Sequence, residues 1–152
     1  MAQHHPHPSL PESLDQWPGM QGRTLVGEWF SIDPKRQQDF YTGTYLDQTY
    51  GPSIGEMYPE GIVEGFHQLG LLDYLVAELV GRWHGYNYGL DQVRFLRTLT
   101  IDERIRIRLL VSEVQPRGEG YRVTYEVTME VEHAQKPCLV AQWIVLLLPL
   151  GN

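Results

Sequence analysis

The amino-acid sequence predicts an α+β domain in which a curled antiparallel sheet of about five strands wraps one long central helix. Three observations predict it: one helical pattern of apolar residues, one long segment of strict alternation, and the position of most strand patterns after the helix. The chain has 152 residues, the length of one ordinary domain. We expect residues 1–20 to form a flexible tail containing proline and histidine, and residues 21–152 to form the single domain.

Composition and charge exclude several classes of protein. The chain has 12 basic and 19 acidic residues, a net charge of −7, whereas nucleic-acid binding needs a basic face. Its one cysteine, Cys138, excludes a disulfide framework and any cysteine-based zinc site. The N-terminus lacks the apolar stretch of a signal peptide, and the longest apolar run, residues 144–148, is too short to cross a bilayer. We expect a cytoplasmic protein with no metal, cofactor, nucleic acid or membrane partner.

The first half of the chain predicts a strand, a short helix and a long loop. Residues 23–30 are typical of a strand, and Asp33 followed by Pro34 predicts the N-cap and first residue of a helix that reaches Tyr41. Residues 42–61 contain six glycines and prolines, which indicates a long loop. Long ordered loops in compact domains are usually functional.

The central helix and the later strands follow from apolar periodicity. Residues 62–80 carry apolar side chains at steps of three and four, which predicts one helix with a broad buried face. Residues 104–109 alternate arginine with isoleucine or leucine, and residues 121–132 alternate apolar with polar side chains, as half-buried strands do. Residues 138–148 lose this alternation, as expected for a last strand covered on both faces.

Four segments resemble one known family. They are FYTG at residues 40–43, EGFHQLGLLDYL at 64–75, NYGLDQVRFLRTLTIDERIRI at 87–107 and KPCLVAQW at 136–143. In this order they resemble the MaoC-like acyl dehydratases, which include the (R)-specific enoyl-CoA hydratases, over about residues 25–148. In the third segment Glu103 stands where the family has Asp. The resemblance implies a hot-dog fold and a homodimer with its sites between the two subunits.

The sequence departs from this family in its catalytic loop. Family hydratases have Thr/Ser-Gly-Asp and then a His five residues after that Asp, whereas this chain has Thr44 and Thr49 at those two positions. The His that usually precedes the helix-start glycine is replaced by Glu64. The acid–base pair of the family is therefore absent, and the standard activity does not carry over intact.

The oxyanion-binding part of such a site is retained. Gly65 matches the family glycine at the start of the central helix, where free N–H groups and the positive end of the helix dipole favour an oxyanion. The alternative is that this glycine only allows another group to approach the backbone closely.

Three residues are candidates for acid–base catalysis, and each has a structural alternative. Asp47 is the first choice, because it lies in the loop that resembles the catalytic loop; its alternative is a solvated turn residue. Glu64 is a base beside the helix start, or it complements the helix dipole. His67 shuttles protons, or it is a hydrogen-bonded structural histidine. Candidates for the pocket walls, as hydrogen-bond donors or apolar surface, are Tyr45, Tyr50 and Tyr58.

Five of the 12 basic residues lie between positions 94 and 108. Arginine binds phosphate in a bidentate manner, so this strip suits a CoA nucleotide or the phosphopantetheine of a carrier protein. The alternating Arg104, Arg106 and Arg108 favour the solvated face of a strand instead. Arg94 and Arg97 are the candidates for substrate binding.

The leading function is a lyase: a dehydratase or hydratase acting on an acyl thioester of CoA or of acyl carrier protein, with a non-standard acid–base set. One alternative is a hot-dog acyl thioesterase in which Glu64 activates water against a carbonyl held by the Gly65 N–H. Another is a non-catalytic or product-shaping acyl-binding protein that has kept the pocket and lost the chemistry.

Overall fold

The computed structural model of the chain describes residues 9–50 and 61–151. The helical segments in these residues are a 3₁₀ helix over Leu14–Met20, α1 over Pro34–Gly43, α2 over Leu46–Tyr50, α3 over Gly65–Gly70 and α4 over Leu72–Val80. The strands are β1 over Thr24–Val26, β2 over Phe30–Ser31, β3 over Gly85–Phe95, β4 over Arg104–Arg117, β5 over Gly120–Val131 and β6 over Leu139–Leu147. They form one antiparallel sheet in the order β1-β4-β5-β6-β3, and β2 pairs with β4.

The long alternating strands are confirmed. Ile105, Ile107 and Leu109 on β4 are at most 1% exposed, and on β5 Val123, Tyr125, Val127 and Met129 are buried in the same way. These side chains share the face of the sheet that packs against the helix, because β4 and β5 pair in register over most of their length. In β6 the consecutive residues Trp143, Ile144 and Val145 are all buried, which confirms that this strand is covered on both faces.

The central helix starts later than predicted and is interrupted once. Residues 62–64 are extended instead of helical: Val63 N–H donates to Leu99 C=O at 2.7 Å. Hydrogen bonds from Leu71 N–H to His67 C=O and from Leu75 N–H to Leu71 C=O carry the helical path from α3 into α4. The helix ends where Gly81 takes a φ of +84°, which glycine adopts without steric penalty.

The predicted first strand is divided in two. Leu25 pairs with Leu109 and Phe30 pairs with Ile105, so five steps along this segment match four along β4. One extra residue of this kind interrupts a ladder and bends the strand. The predicted helix start is confirmed, since Asp33 accepts a hydrogen bond from Lys35 N–H at 2.8 Å. The predicted loop is shorter than expected, because α1 continues to Gly43 and α2 follows; residues 51–60 lie outside the described residues.

The segment predicted as a tail packs into the core over residues 14–20. Trp17 and Met20 are 0% and 1% exposed, and the Trp17 ring meets the edges of Trp83 and Tyr125 with centroids 5.6 and 6.5 Å away. Burying a large apolar side chain stabilises the fold by about 1.5–3 kcal/mol. This contribution holds the segment in place although its sequence has no local periodicity. The flexible-tail prediction is therefore wrong for these seven residues. Residues 1–8, with three histidines, lie outside the described residues.

Candidate functional site

A pocket of about 400 Å³ lies between the start of α3 and the end of β3. We call it the helix-start pocket. Glu64, Gly65 and Phe66 form one wall, and Phe95 and Arg97 form the opposite one. The wall is mostly apolar, so charges and dipoles placed on it act in a medium less polar than water.

The Glu64 carboxylate occupies the end of the helix. Glu64 is the N-cap of α3, with an extended backbone, and its Oε2 accepts a hydrogen bond from Phe66 N–H at 2.8 Å. A carboxylate here satisfies one of the N–H groups that a helix start leaves without a partner. Its other oxygen, Oε1, accepts no hydrogen bond from the described residues. The prediction that Glu64 complements the helix dipole therefore has a geometric basis, and the carboxylate also lines the pocket.

Gly65 is in close contact with an aromatic ring. A Cβ atom at this position would lie 2.9 Å from Cε1 and Cζ of Phe95, nearer than real Cβ contacts come. Glycine at this position therefore allows the Phe95 ring to approach the backbone closely, which is the alternative given for it from the sequence. The Gly65 N–H donates to no backbone or side-chain oxygen of the residues 9–50 and 61–151, so the position also leaves a free donor at the helix start.

Two buried glutamines hold the segment that leads into the helix. Gln37 Nε2 donates to Ile62 C=O at 3.2 Å, and Gln68 Nε2 donates to Val63 C=O at 3.1 Å. Both side chains are at most 5% exposed, and their Oε1 atoms are buried without a hydrogen-bond partner among the described residues. The sequence analysis missed both residues. A glutamine among apolar positions, as at residue 68 in the helical pattern, is the signal that could have identified one of them.

His67 lies behind the pocket and not in its wall. The side chain is 7% exposed and its ring stacks on Phe40, with centroids 4.9 Å apart. Its Nδ1 has no hydrogen-bond partner among the described residues. Burial lowers the pKa of His67, so the ring is neutral near pH 7.

Arg97 belongs to a network at the turn between β3 and β4. Its Nη2 lies 2.9 Å from Oε2 of Glu103, and Glu103 also accepts from Thr100 N–H at 3.1 Å. Burial alone would raise the pKa of Glu103, but the hydrogen bonds from Thr100 and Arg97 and the Arg97 charge hold it below its usual value. The Arg97 guanidinium is thus neutralised within the protein, although its side chain still lines the helix-start pocket.

The two threonines that replace the family's acid and base are used by the backbone. Thr44 Oγ1 donates to Phe40 C=O at 2.6 Å, and Thr49 Oγ1 donates to Tyr45 C=O at 3.1 Å. Each hydroxyl returns to the carbonyl four residues earlier, which is a common arrangement for threonine in helices. Neither one lines the helix-start pocket.

The other loop candidates are exposed. Asp47 opens α2 and its Oδ1 accepts from Gln48 N–H at 2.9 Å, whereas Tyr45 is 65% exposed and Tyr50 37% exposed. These three residues are not among those lining the helix-start pocket. Tyr58 lies outside the described residues.

Three arginines of the basic strip pair with carboxylates on the neighbouring strand. Arg104 pairs with Glu132, and Arg106 and Arg108 share Glu130 at 2.7 and 2.8 Å. This is the arrangement expected for a solvated strand face. Arg94, on the edge strand β3, donates to the neighbouring Val93 C=O and to no other group of the described residues.

Comparison with known proteins identifies the family. The chain is 32% identical over 151 residues to nodulation protein N of Rhizobium leguminosarum bv. viciae, covering 89% of this chain and 91% of the relative. It is 30% identical over 122 residues to 3-hydroxyacyl-thioester dehydratase Z of Mycobacterium tuberculosis, covering 78% and 70% of the two chains. No protein-family model matches the sequence.

A solved structure has the same fold. The MaoC-like dehydratase from Rhodospirillum rubrum superposes with a TM-score of 0.63 at 9% identity, covering 87% of this chain and 94% of that one. The fold is the hot-dog fold, as the sequence resemblance implied. The chain belongs to the MaoC-like family of hot-dog proteins.

No helix within residues 9–50 and 61–151 is long and apolar enough to cross a membrane. The same residues contain no group of three histidine, cysteine or carboxylate side chains placed to share a metal ion.

Proposed function

We propose that the protein catalyses the reversible hydration of an enoyl thioester, linked to CoA or to a carrier protein, at the helix-start pocket. The observation that carries this proposal is the 30% identity to a 3-hydroxyacyl-thioester dehydratase over most of the chain. The free N–H of Gly65 beside an apolar wall supports it, because an enolate oxygen needs a donor in a site of low polarity.

Dehydration requires two proton transfers. A base removes the α-proton of the 3-hydroxyacyl thioester, the electron pair forms the C=C bond, and the 3-hydroxyl leaves as water after it gains a proton. Glu64 takes the place of Asp47 as our first choice for the base, since it lines the pocket next to Gly65 and its Oε1 accepts no hydrogen bond from the described residues. The protonated Glu64 then returns that proton to the leaving hydroxyl, so the carboxylate is regenerated in each turnover.

Asp47 and His67 are the other acid–base candidates. Oδ2 of Asp47 accepts no hydrogen bond from the described residues, and His67 is neutral and one turn into the helix. Either residue would take over the proton transfer to the leaving hydroxyl in place of Glu64 if substrate binding or a second subunit placed it at the helix-start pocket. Arg94 is exposed on β3 and is our candidate for binding a phosphate of CoA or of phosphopantetheine, whereas Arg97 is paired with Glu103.

A second candidate function follows from the same pair of groups. Glu64 and the Gly65 N–H stand side by side, as a thioesterase needs for activating water against a held carbonyl. The replacement of the family's Asp and His by Thr44 and Thr49 favours a third candidate, an acyl-binding protein without chemistry.

Substitutions at the three acid–base candidates separate these functions. We expect Glu64→Gln to lower kcat by at least about 10²-fold on an enoyl-CoA substrate, because the amide cannot accept a proton. Enoyl absorbance reports hydration and a thiol reagent reports CoA release. Loss of enoyl absorbance without free thiol identifies the hydro-lyase, free thiol identifies the thioesterase, and binding with neither signal identifies the binding protein. If Glu64→Gln is fully active, the drop in kcat should appear in Asp47→Asn or His67→Gln instead. If all three variants are active, the active site lies elsewhere.

The role of the Gly65 N–H is tested by proline. Glu64 has a φ of −65° and a ψ of +145°, which the residue before proline adopts readily, and the first helical position tolerates proline. Because a Cβ at position 65 meets Phe95, both variants are made in a Phe95→Ala background. We expect Gly65→Pro to lower kcat by roughly 10²–10³-fold, as expected for loss of an oxyanion donor. Gly65→Ala in the same background adds the Cβ but keeps the N–H, so it should remain active.

A further inference from the structure

A second cavity, of about 420 Å³, lies between the end of α4 and the inner face of the sheet. We call it the Tyr125 cavity. Its walls include Val76 and Val80 on the helix, Tyr125, Trp143 and Leu147 on β5 and β6, and Trp83. This is within the range of volumes found for small-molecule sites, and such sites are mostly apolar with a few placed polar groups.

The Tyr125 hydroxyl is an unused polar group in this cavity. Tyr125 is 2% exposed, and its ring packs against Trp17 and Trp143. Its hydroxyl forms no hydrogen bond with any residue in 9–50 and 61–151, whereas buried tyrosine hydroxyls usually have a partner. Burial raises the pKa of Tyr125, so the group is a hydroxyl, able to donate and to accept, at every physiological pH.

The neighbouring indole does have a partner. Trp143 Nε1 donates to Asn87 Oδ1 at 3.1 Å, and Asn87 Nδ2 lies 3.5 Å from Oδ2 of Asp73. Asn87 and Asp73 also line the cavity, at its polar side. Arg82 and Tyr86 also line the cavity but are exposed, so among the described residues Tyr125 is the buried side chain of this lining whose polar group lacks a partner.

The Tyr125 cavity and the helix-start pocket lie at opposite ends of the central helix. A smaller cavity, of about 210 Å³, lies between them; it is lined by Leu69 beside Gln68 of the helix-start pocket, and it shares Asp73, Asn87 and Trp143 with the Tyr125 cavity. All three lie along the central helix and β3. Gly65 and Ala77, which mark the two outer cavities, are twelve residues apart, or about 18 Å along a helix at 1.5 Å per residue.

We propose that the Tyr125 cavity binds the distal end of the acyl group, and that Tyr125 selects an acyl chain carrying an oxygen there, as a hydroxyl or a carbonyl, over a fully saturated chain. This inference rests on the proposed function for its thioester end. An oxygen at the distal position would meet the Tyr125 hydroxyl, which has no partner among the described residues, whereas a methyl group would leave that hydroxyl unsatisfied. The substrate class is therefore an oxygenated, medium- or long-chain acyl thioester.

The test uses pairs of acyl-CoA thioesters of increasing length, each pair consisting of a saturated chain and its ω-hydroxy counterpart. Binding is followed by tryptophan fluorescence, since Trp83 and Trp143 line the cavity, and by calorimetry. At the length that reaches the cavity, we expect the wild-type protein to bind the hydroxylated chain roughly three- to tenfold more tightly, the range for one neutral hydrogen bond.

Three variants locate the effect. Tyr125→Phe removes only the hydroxyl, so it should bind the saturated chain at least as tightly as the wild-type protein does, lose the preference, and unfold at the wild-type temperature. Tyr74→Phe is the matched control: Tyr74 is exposed on α4 and packs on Phe30, away from this cavity, so the preference should persist. Ala77→Leu adds volume at the cavity wall and should weaken the binding of both long chains.

The outcomes separate this inference from the proposed function. Equal binding of the two chains at every length, or a preference that survives Tyr125→Phe, overturns the inference even if enoyl thioesters are hydrated. A preference abolished by Tyr125→Phe supports the inference. If no enoyl thioester is then hydrated, the proposed catalysis fails and the protein is a binding protein for oxygenated acyl groups.

Discussion

The guanidinium Nη2 of Arg97 lies 3.2 and 2.9 Å from the two carboxylate oxygens of Glu103, so one nitrogen is shared between both acceptors. This pair fixes the turn between β3 and β4. It also joins that turn to the helix-start pocket. Arg97 and Val63 both line the pocket, and the Val63 N–H donates to the C=O of Leu99 in the turn.

Replacing Glu103 by Gln is expected to lower the free energy of unfolding by about 1–2 kcal/mol at pH 7, since it removes a charge-assisted hydrogen bond and leaves Arg97 unpaired. The pKa of Glu103 is held below its ordinary value in the folded protein. Its contribution is therefore complete above the unfolded-state pKa and is lost as the pH falls through the folded-state pKa. Urea unfolding of both proteins along an acid series should show their stabilities converge.

The matched control for this pair is Lys35–Asp39, whose side chains are 80% and 62% exposed. Asp39→Asn should change stability by less than about 0.5 kcal/mol, as expected for an exposed ion pair. A loss at Asp39 as large as that at Glu103 would show that burial does not distinguish the two pairs.

His67 should make the protein sensitive to mild acid. Burial lowers the pKa of His67 below the ordinary value for histidine, so as the pH falls the unfolded chain binds a proton before the folded one does. Stability is complete above about pH 6.5 and falls below it, by at most about 1.4 kcal/mol per pH unit for one proton. His67→Phe keeps a ring to stack on Phe40 and cannot titrate. Between pH 7 and pH 5 the melting temperature of the wild-type protein should therefore fall more steeply than that of the variant. Parallel falls in the two melting temperatures would contradict a buried neutral imidazole.

Hydration of crotonyl-CoA should be weak. A lost general base typically reduces the rate 10²–10⁴-fold, and the hydroxyls of Thr44 and Thr49 are bonded to backbone carbonyls. We expect the purified protein to be slower by about this factor than relatives with the intact Asp and His. Rapid wild-type turnover of crotonyl-CoA would show that other residues replace the pair efficiently.

A homodimer should form through the edge strand β3. Tyr86, Tyr88 and Leu90 on this strand are 59%, 49% and 43% exposed, and its outer edge has no neighbour among the described residues. Exposed apolar edges tend to pair with another chain. Sedimentation at micromolar concentration should give a dimer, and Leu90→Lys should shift it toward monomer. Leu150→Lys, at an 81% exposed leucine outside the sheet, should not; a wild-type monomer would contradict the shared-site expectation.

Local patterns sufficed for much of this fold. The alternation in residues 121–132 predicts β5 and its inner face, and Asp33–Pro34 predicts the start of α1, because each depends on neighbours within a few positions. The burial of Trp17 could not be predicted in this way, since its partners Trp83 and Tyr125 lie far along the chain.

The candidate site was predicted only in part for the same reason. Glu64 and Gly65 were identified from resemblance and from their place at a helix start. The contact of Gly65 with Phe95 and the two cavities arise from packing between the helix and β3, which no local pattern encodes. The exposure of Asp47 depends likewise on where α2 lies.

The position of Trp17 has a consequence for how substrate range can evolve in such a protein. Its ring packs against Trp83 and Tyr125, two residues that line the Tyr125 cavity, yet it comes from a short segment that precedes β1. A smaller residue at position 17 would leave room for both rings to move outward and would deepen the Tyr125 cavity without a substitution in the sheet, the helix or the acid–base groups. Under the proposed function, such a change would alter the length of acyl chain accepted without altering the chemistry at the helix-start pocket.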